Sequence, residues 1–333
     1  MRIILCGPGY KNKFAGFYYS YDKKFLNGLI REGHNVVHFR DRDESRIAHT
    51  AVPPIGRARS NLSLLEICAH FRPELVALFH ADVVTDATLD AIRKLSPGCR
   101  IVNVDCDALI DGHVMKRMVA RGTRVDASFV TTGGEPLARL RAAGVKASYI
   151  PNPTDASMED IDAFAVEEKS TDLMYVSSYG PGASQWAFLE EVTRRAPKVR
   201  IIGHGASKRR LLGRAYFEAL AAAKCALNWS KYNDVPFYSS DRIAQLFGSG
   251  LCVCLPRSIG YQRFLGEDDA VFFSSAADLA QRLTAIIADG SWRDIGRSGR
   301  DRYRKLFNER RLARYLIAAS FGEDVRGYEW SDI

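Results

Sequence analysis

Short apolar runs and amphipathic stretches alternate along this chain from end to end. In the first half, strand-like runs fall at residues 2–6, 35–39, 74–79, 99–104, 127–131 and 147–150. Helical patterns lie between them, around 21–32, 61–71, 85–95, 113–121 and 135–143. This alternation predicts a parallel sheet covered by helices. Gly33, Gly122 and Gly144 stand where helices end, as a left-handed C-cap requires. Pro151-Asn152-Pro153 and the acidic, polar residues up to Thr171 then break the rhythm, which reads as an interdomain linker. The pattern restarts with strands at 172–177, 198–203, 225–229, 251–255 and 270–273. Its helices fall at 183–195, 208–223, 239–248, 276–289, 292–305 and 309–320. The expectation is two doubly wound, Rossmann-like α/β domains facing a central cleft. They span 1–152 and 172–305, with a linker at 153–171 and a C-terminal helical tail at 306–333.

With 333 residues, 47% hydrophobic and 26% charged, the chain is long enough for two α/β cores and has no disordered composition. No apolar run is long enough to span a membrane, and the apolar start reads as a first core strand, not a signal peptide. The seven cysteines form no C-x-x-C pair and mostly sit in strand-like runs, so a reducing, cytoplasmic setting is expected. A net charge of +8 favours anionic partners such as nucleotide phosphates, an anionic membrane or nucleic acid, but no nucleic-acid module is present. Part of the excess lies at 293–314, where basic and apolar residues at helical spacing either touch an anionic membrane or form a solvated face of packed helices.

In open α/β sheets ligands bind beyond the carboxyl ends of the strands, so residues just after each strand carry the candidate chemistry. Gly7-Pro8-Gly9 lacks the third glycine of a dinucleotide fingerprint, since Asn12 stands there, and a flexible loop at the mouth of the site fits better. His80, with Asp82 close behind, is either a general base or a structural cap. Asp105 and Asp107 share one face of a strand end and either line a polar floor or cap the helix starting near Asp111. No His/Cys cluster accompanies them, so no metal is expected. In the second half, the loop from Ser177 through Ser178 and Gly180 joins a strand to a helix. Gly203, His204 and Lys208 repeat that arrangement, and both loops could offer backbone N–H groups to phosphate.

The richest segment runs from Asn228 to Gly250. A strand ends at Asn228, a polar loop follows, and a helix begins near Ser239 or Ser240 with a capping hydroxyl. Arg242 in its first turn opposes the helix dipole, which implies a compensating anion. The stretch from Cys225 to Leu255 contains Asn228, Arg242-x-x-Gln245 and Gly250. It is followed by 261–273, by Ala277-Asp278-Leu279 and by a basic helical tail. Together these resemble the C-terminal half of group 1, CgeB/YkvP-like glycosyltransferases over residues 225–320.

The resemblance implies a GT-B fold whose second domain holds a nucleoside-diphosphate sugar, without a metal or other cofactor. Arg242 matches the family's diphosphate-contacting arginine. Gln245 replaces the glutamate that holds the ribose, and Tyr238 stands where a second glutamate is usual. Donor phosphates are then expected on Arg242, Ser177, Ser178, Gly180, Gly203 and Lys208, with Asn228 and Ser240 lining the site and the base near His204 or Tyr232. An acceptor hydroxyl is expected near His80, Asp105 and Asp107. The acceptor would be a glycan, lipid-linked or protein group, in bacterial surface glycan or in protein glycosylation. Two alternatives stay open: a non-catalytic nucleotide-sugar binder, which Gln245 would suit, and another Rossmann-type sugar-nucleotide enzyme.

Overall fold

Runs such as Ile3-Ile4-Leu5-Cys6 and Leu75-Val76-Ala77-Leu78-Phe79 are wholly buried, which requires helices on both faces of the sheet that carries them. A computed structural model of the protein describes residues 1–9, 17–48, 53–177, 182–205, 211–238 and 240–333. They divide into one unit of Met1–Pro151 with Glu309–Ile333, and a second of Asn152–Asn308.

The first unit is built from β1 (Arg2–Gly7), α1 (Tyr21–Arg31), β2 (Asn35–Arg40), α2 (Asp41–Ala48), α3 (Pro53–Phe71) and β3 (Leu75–Phe79). It continues with α4 (Asp86–Leu95), β4 (Arg100–Asp105), α5 (Gly112–Gly122), β5 (Ala127–Val130), α6 (Gly134–Ala142) and β6 (Ala147–Tyr149). The sheet order is β2-β1-β3-β4-β5-β6, every described pair parallel, so the chain changes direction of travel between β1 and β3. Periodicity missed α2 and the first two turns of α3. Helix α2 reads Asp41-Arg-Asp-Glu-Ser-Arg, and the groups it buries are the carboxylates Asp41 and Asp43 instead of an apolar stripe. Helix α3 opens on Pro53-Pro54, which the first helical turn accepts because its N–H groups have no intrahelical partner.

The second unit repeats the arrangement with β7 (Thr171–Val176), α7 (Ser184–Arg195), β8 (Ile201–His204), α8 (Arg214–Ala221) and β9 (Ala223–Leu227). Then come α9 (Arg242–Gly248), β10 (Cys252–Pro256), β11 (Val271–Phe273), α10 (Ala276–Asp289) and α11 (Trp292–Phe307). Its order, β11-β10-β9-β7-β8, again has parallel pairs, with the switch point between β7 and β9.

Two boundaries differ from the sequence expectation. Residues 153–171 are not a free linker. Thr154, Asp155 and Glu159 are buried, the Thr154 N–H donates to Phe307 O at 2.8 Å, and the Ala163 N–H donates to Ser249 O at 2.8 Å. Gly250, at φ 74°, leaves room for Phe164, whose ring a Cβ would meet at 2.8 Å. The polar composition that resembled a linker is instead a set of hydrogen-bonded interior groups.

The C-terminal segment does not stay with the second unit. After α11 the chain returns to the first unit as α12 (Glu309–Phe321), which packs along α1. Arg31 pairs with Glu309 at 2.6 Å and Arg314 with Glu32 at 3.0 Å, while Tyr315 meets the rings of Phe129 and fully buried Trp330.

The basic stretch 293–314 is largely consumed by these contacts. Arg304 donates to Glu159 O and Gly248 O, both at 2.7 Å, Arg300 pairs with Asp162, and Arg302 donates to Phe264 O at 3.0 Å. Arg311 pairs with Glu329 at 2.6 Å. No described helix is long and apolar enough to cross a membrane.

The α1–α12 contact has a direct test. A Cβ on Gly28 would lie 2.2 Å from the Glu309 carbonyl oxygen, a backbone atom that cannot rotate away. Gly28→Ala should gain about 1 kcal/mol of helix propensity but lose about 1–3 kcal/mol to overpacking, so the clash wins. Urea unfolding should show a lower midpoint; a raised midpoint would mean that α12 does not dock on α1 this closely.

Candidate functional site

The switch point of the second sheet is held by one side chain. Where β7 and β9 part, Arg242 Nη1 donates to Val176 O at 2.6 Å and Nη2 donates to Trp229 O at 2.8 Å. Nη2 also lies 3.5 Å from Ser230 Oγ, and the guanidinium stands 5.7 Å from the centre of the Tyr175 ring. Its Nε is buried and has no hydrogen-bond partner among the described residues. The charge that opposed the helix dipole is therefore already met by two carbonyl dipoles. The dipole mismatch alone does not require an anion.

Helix α9 begins at Arg242 itself, later than expected. Ser240 serves it through its backbone, accepting from Ile243 N at 3.1 Å, while the expected partner Ser239 lies outside the described residues. Gln245 is buried, and its Nε2 donates to Asp241 Oδ2 at 3.0 Å, so the amide is held within its own helix.

The remaining candidates of this unit lie along the same strand ends. The Ser177 N–H donates to His204 O at 2.8 Å, so this amide closes the β7–β8 edge instead of facing outward. Gly203 has a packing role, since a Cβ there would stand 2.6 Å from the Trp186 ring. Burial lowers the pKa of His204, favouring the neutral ring. Asn228 is buried beside β10, its N–H donating to Cys254 O at 3.0 Å. Ser178, Gly180 and Lys208 lie outside the described residues.

After Asn228 the loop is braced by Asn233, which accepts from Ser230 N at 2.8 Å and donates to Ser230 O at 2.9 Å. Trp229 stacks on Phe188 with ring centres 3.9 Å apart. Tyr175, Trp229 and Ser230 were not singled out from sequence. Only their positions, at the ends of β7 and β9, could have pointed to them.

In the first unit the structure brings His80, Asp105 and Asp107 together. His80 follows β3 with φ 46°, a left-handed conformation that costs a non-glycine residue on the order of 1–3 kcal/mol and is met mainly at functional sites. Its Nδ1 lies 3.5 Å from Asp105 Oδ1 and 3.9 Å from Asp107 Oδ2, while Nε2 is 3.1 Å from Cys106 Sγ. Asp82, the neighbour suggested by sequence, turns away to Arg42 at 2.6 Å. Nor do Asp105 and Asp107 cap α5, whose N-cap position is Asp111. Instead Arg117 of α5 reaches back to both carboxylates, at 2.7 and 2.8 Å.

His80, Asp105 and Asp107 present ligand atoms within 4.8 Å of one another, a spacing open to a divalent cation. The Arg117 guanidinium already bonds both carboxylates, and a cation would have to displace it. We assign no metal there. The loop that carries His80 is held from below by Asp41, whose Oδ2 accepts from Val83 N at 3.1 Å and Oδ1 from Arg42 N at 2.8 Å. Burial raises the Asp41 pKa to about 6, against the lowering effect of these two bonds.

These two switch-point sheets match solved structures over nearly the whole chain. HepE of Anabaena, solved in complex with UDP and glucose, aligns at 12% identity with a TM-score of 0.62, covering 97% of this chain and 100% of that one. A glycosyltransferase from Rickettsia africae ESF-5 aligns at 10% identity and TM-score 0.59, over 96% and 98%. Sucrose-phosphate synthase from Thermosynechococcus elongatus aligns at 15% identity and TM-score 0.56, over 96% and 99%. The fold is GT-B. Within it, residues 184–318 match the family described as glycosyl transferase-like, a span that holds Arg242 and Gln245 and runs on into α12. No curated protein sequence matches the chain significantly.

The GT-B first unit carries a pH prediction at Asp41. Its folded pKa lies above the unfolded value, so the stability it contributes is full below about pH 4 and is lost as pH rises through about 6. A shift of about two units corresponds to about 3 kcal/mol. Asp41→Asn cannot ionise, and any fixed cost of the exchange cancels when pH values are compared. The mutant's stability relative to wild type should therefore rise by up to about 3 kcal/mol between pH 4 and about pH 7 in denaturant unfolding. A difference that does not change with pH would show that Asp41 ionises freely.

Proposed function

We propose that the protein transfers a sugar from a nucleoside-diphosphate sugar to a hydroxyl acceptor, with the diphosphate held at the β7/β9 switch point. The observation that carries this reading is Arg242. It is anchored by two carbonyls at the place where open α/β sheets bind ligands, and it retains a buried, unused Nε–H. A preorganised cation there can stabilise charge as it builds on a departing diphosphate, at no cost of reorganisation. The glycosyl transferase-like match over the same unit and the UDP complexes of HepE support the same reading, and make UDP the first nucleotide to test. Arg242 and Gln245 are also the positions that carry the likeness to the CgeB/YkvP-like group.

In the proposed reaction the acceptor oxygen bonds to the anomeric carbon. The bond from that carbon to the diphosphate oxygen breaks, and its electron pair leaves with the diphosphate. The acceptor's proton passes to His80 Nε2, while Asp105 and Asp107 face Nδ1 and stabilise the imidazolium that forms. No metal enters this scheme. Asn228 and Ser240 line the donor side, and His204 or Tyr232 flanks the base. A surface glycan is the acceptor class we favour. Peripheral membrane contact would fall to side chains such as Arg297 and Arg310, which remain more than half exposed. A second reading, a nucleotide-sugar binder without turnover, is favoured by Gln245, whose amide is tied to Asp241.

Calorimetric titration of UDP, GDP and dTDP in the presence of chelator tests the donor side. One of them should bind, and Arg242→Ala should weaken it by about 1.5–3 kcal/mol, the worth of a charge-assisted hydrogen bond. Arg242→Lys should recover only part of that, since lysine cannot span both carbonyls and a phosphate. Equal affinity of wild type and Arg242→Ala would remove Arg242 from the site. Binding that disappears in chelator and returns with magnesium would contradict the metal-free reading.

A further inference from the structure

All seven cysteines lie among the described residues, and six of them are buried. Burial pushes the thiols of Cys6, Cys68, Cys99 and Cys254 up, which keeps them protonated and inert. Cys106 differs in both position and company. It is half-buried, sits in the turn after β4, and its Sγ lies 3.1 Å from His80 Nε2.

The tautomer of His80 can be read from its neighbours. Nδ1 faces the carboxylates of Asp105, at 3.5 Å, and Asp107, at 3.9 Å, so it carries the proton. Nε2 then holds the lone pair, and the Cys106 backbone N–H points to it at 3.4 Å as a donor should. The thiol is therefore placed to give its proton to Nε2, with two carboxylates behind the ring to stabilise the imidazolium. Arg117 of α5 bonds both carboxylates and leaves one net negative charge behind the ring, while Thr131, just after β5, donates to Cys106 O at 3.3 Å and fixes the turn. Across the loop, Asp82 is paired with Arg42 and does not face the thiol.

We propose that Cys106, paired with His80 and backed by Asp105, is a reactive thiol and a site of covalent modification by low-molecular-weight disulfides and carbon electrophiles. With a disulfide, the Cys106 sulfur keeps the S–H bonding pair as its proton passes to His80 Nε2, and with that pair it attacks one sulfur of the reagent. A new S–S bond forms to Cys106, the reagent's own S–S bond breaks, and the departing thiolate takes the proton that His80 received. The cysteine is oxidised to a mixed disulfide and half of the reagent is reduced to thiol. The adduct then stands in front of His80 Nε2, so modification silences whatever proton transfer that nitrogen performs. The inference does not rest on the transferase reading, although both use Nε2: a ring that holds the thiol's proton cannot at that moment take one from an acceptor hydroxyl.

The readout must be chosen with the magnitudes in view. Lowering a thiol pKa from about 8.5 to about 7 raises its thiolate fraction at pH 7 about fifteenfold, but its intrinsic nucleophilicity falls about fivefold. The midpoint of the rate–pH profile is therefore more telling than a rate at one pH. The native full chain is treated with iodoacetamide and followed by intact mass and peptide mapping. One equivalent should add, at Cys106, with a midpoint clearly below the ordinary thiol value of about 8.5. His80→Asn is the variant of choice because asparagine tolerates the left-handed backbone at this position. It should move the midpoint up to about 8.5, the value of an ordinary thiol. Cys106→Ser should abolish the fast addition, and oxidised glutathione should form a mixed disulfide with wild type that dithiothreitol reverses. Failure of Cys106 to label in the folded protein, or identical midpoints in wild type and His80→Asn, would overturn the proposal.

Discussion

Two parallel strands flanking a switch point send the following chain to opposite sides, so the last carbonyls of both face a space that no ladder fills. In the second unit the carbonyls concerned are those of Val176, which ends β7, and Trp229, two residues past β9, where Tyr175 Oη also donates at 3.2 Å; half-buried carbonyls without a donor cost as much as lost hydrogen bonds. One guanidinium meets both, and its planar fork suits that task in a way a lysine ammonium cannot. Much of the local structure is fixed by this contact. It joins the first residue of α9 to the chain ends of β7 and β9, and it leaves Nε buried with no partner among the described residues. The arginine thus holds the strand ends and puts a positive charge at the switch point.

The strand pattern was legible because most strands among the described residues are apolar runs bounded by turns, and central ones such as β3 and β10 are buried along their whole length. What was misread was polar and buried. Asp41 and Asp43 in α2, and Thr154, Asp155 and Glu159 in the segment taken for a linker, look solvated in sequence but are buried; Asp41 and Thr154 bond chain as distant as Val83 and Phe307, while Asp155 and Glu159 close a turn on themselves. The return of α12 to the first unit was invisible because its fit depends on Gly28, nearly three hundred residues away. Gly203 shows the opposite error. A glycine after a strand suggested a phosphate loop, whereas the ring of Trp186 explains it.

The first unit was read at its strand ends, and the three acid–base residues chosen there do converge. Their organisers were not foreseen. Arg117 is hidden inside an ordinary amphipathic helix, and Cys106 was grouped with cysteines that serve as small hydrophobes, although it follows its strand instead of lying within it. Its difference lies in contact with His80, a residue that adopts left-handed backbone to bring its ring over the turn after β4. Chemistry at this end of the sheet therefore depends on three segments, around residues 80, 105–107 and 117, that only the parallel register of β3 and β4 brings together.

The central claim is that the nucleotide binds at the carboxyl ends of β7 and β9. Hydrogen–deuterium exchange of the intact protein, with and without saturating UDP, tests it most directly because it locates binding without presuming turnover. The account predicts slower exchange in peptides covering 175–177 and 228–245, with little change at the ends of β1 and β3. Protection confined to the first unit, around residues 7–9 and 80, would contradict it.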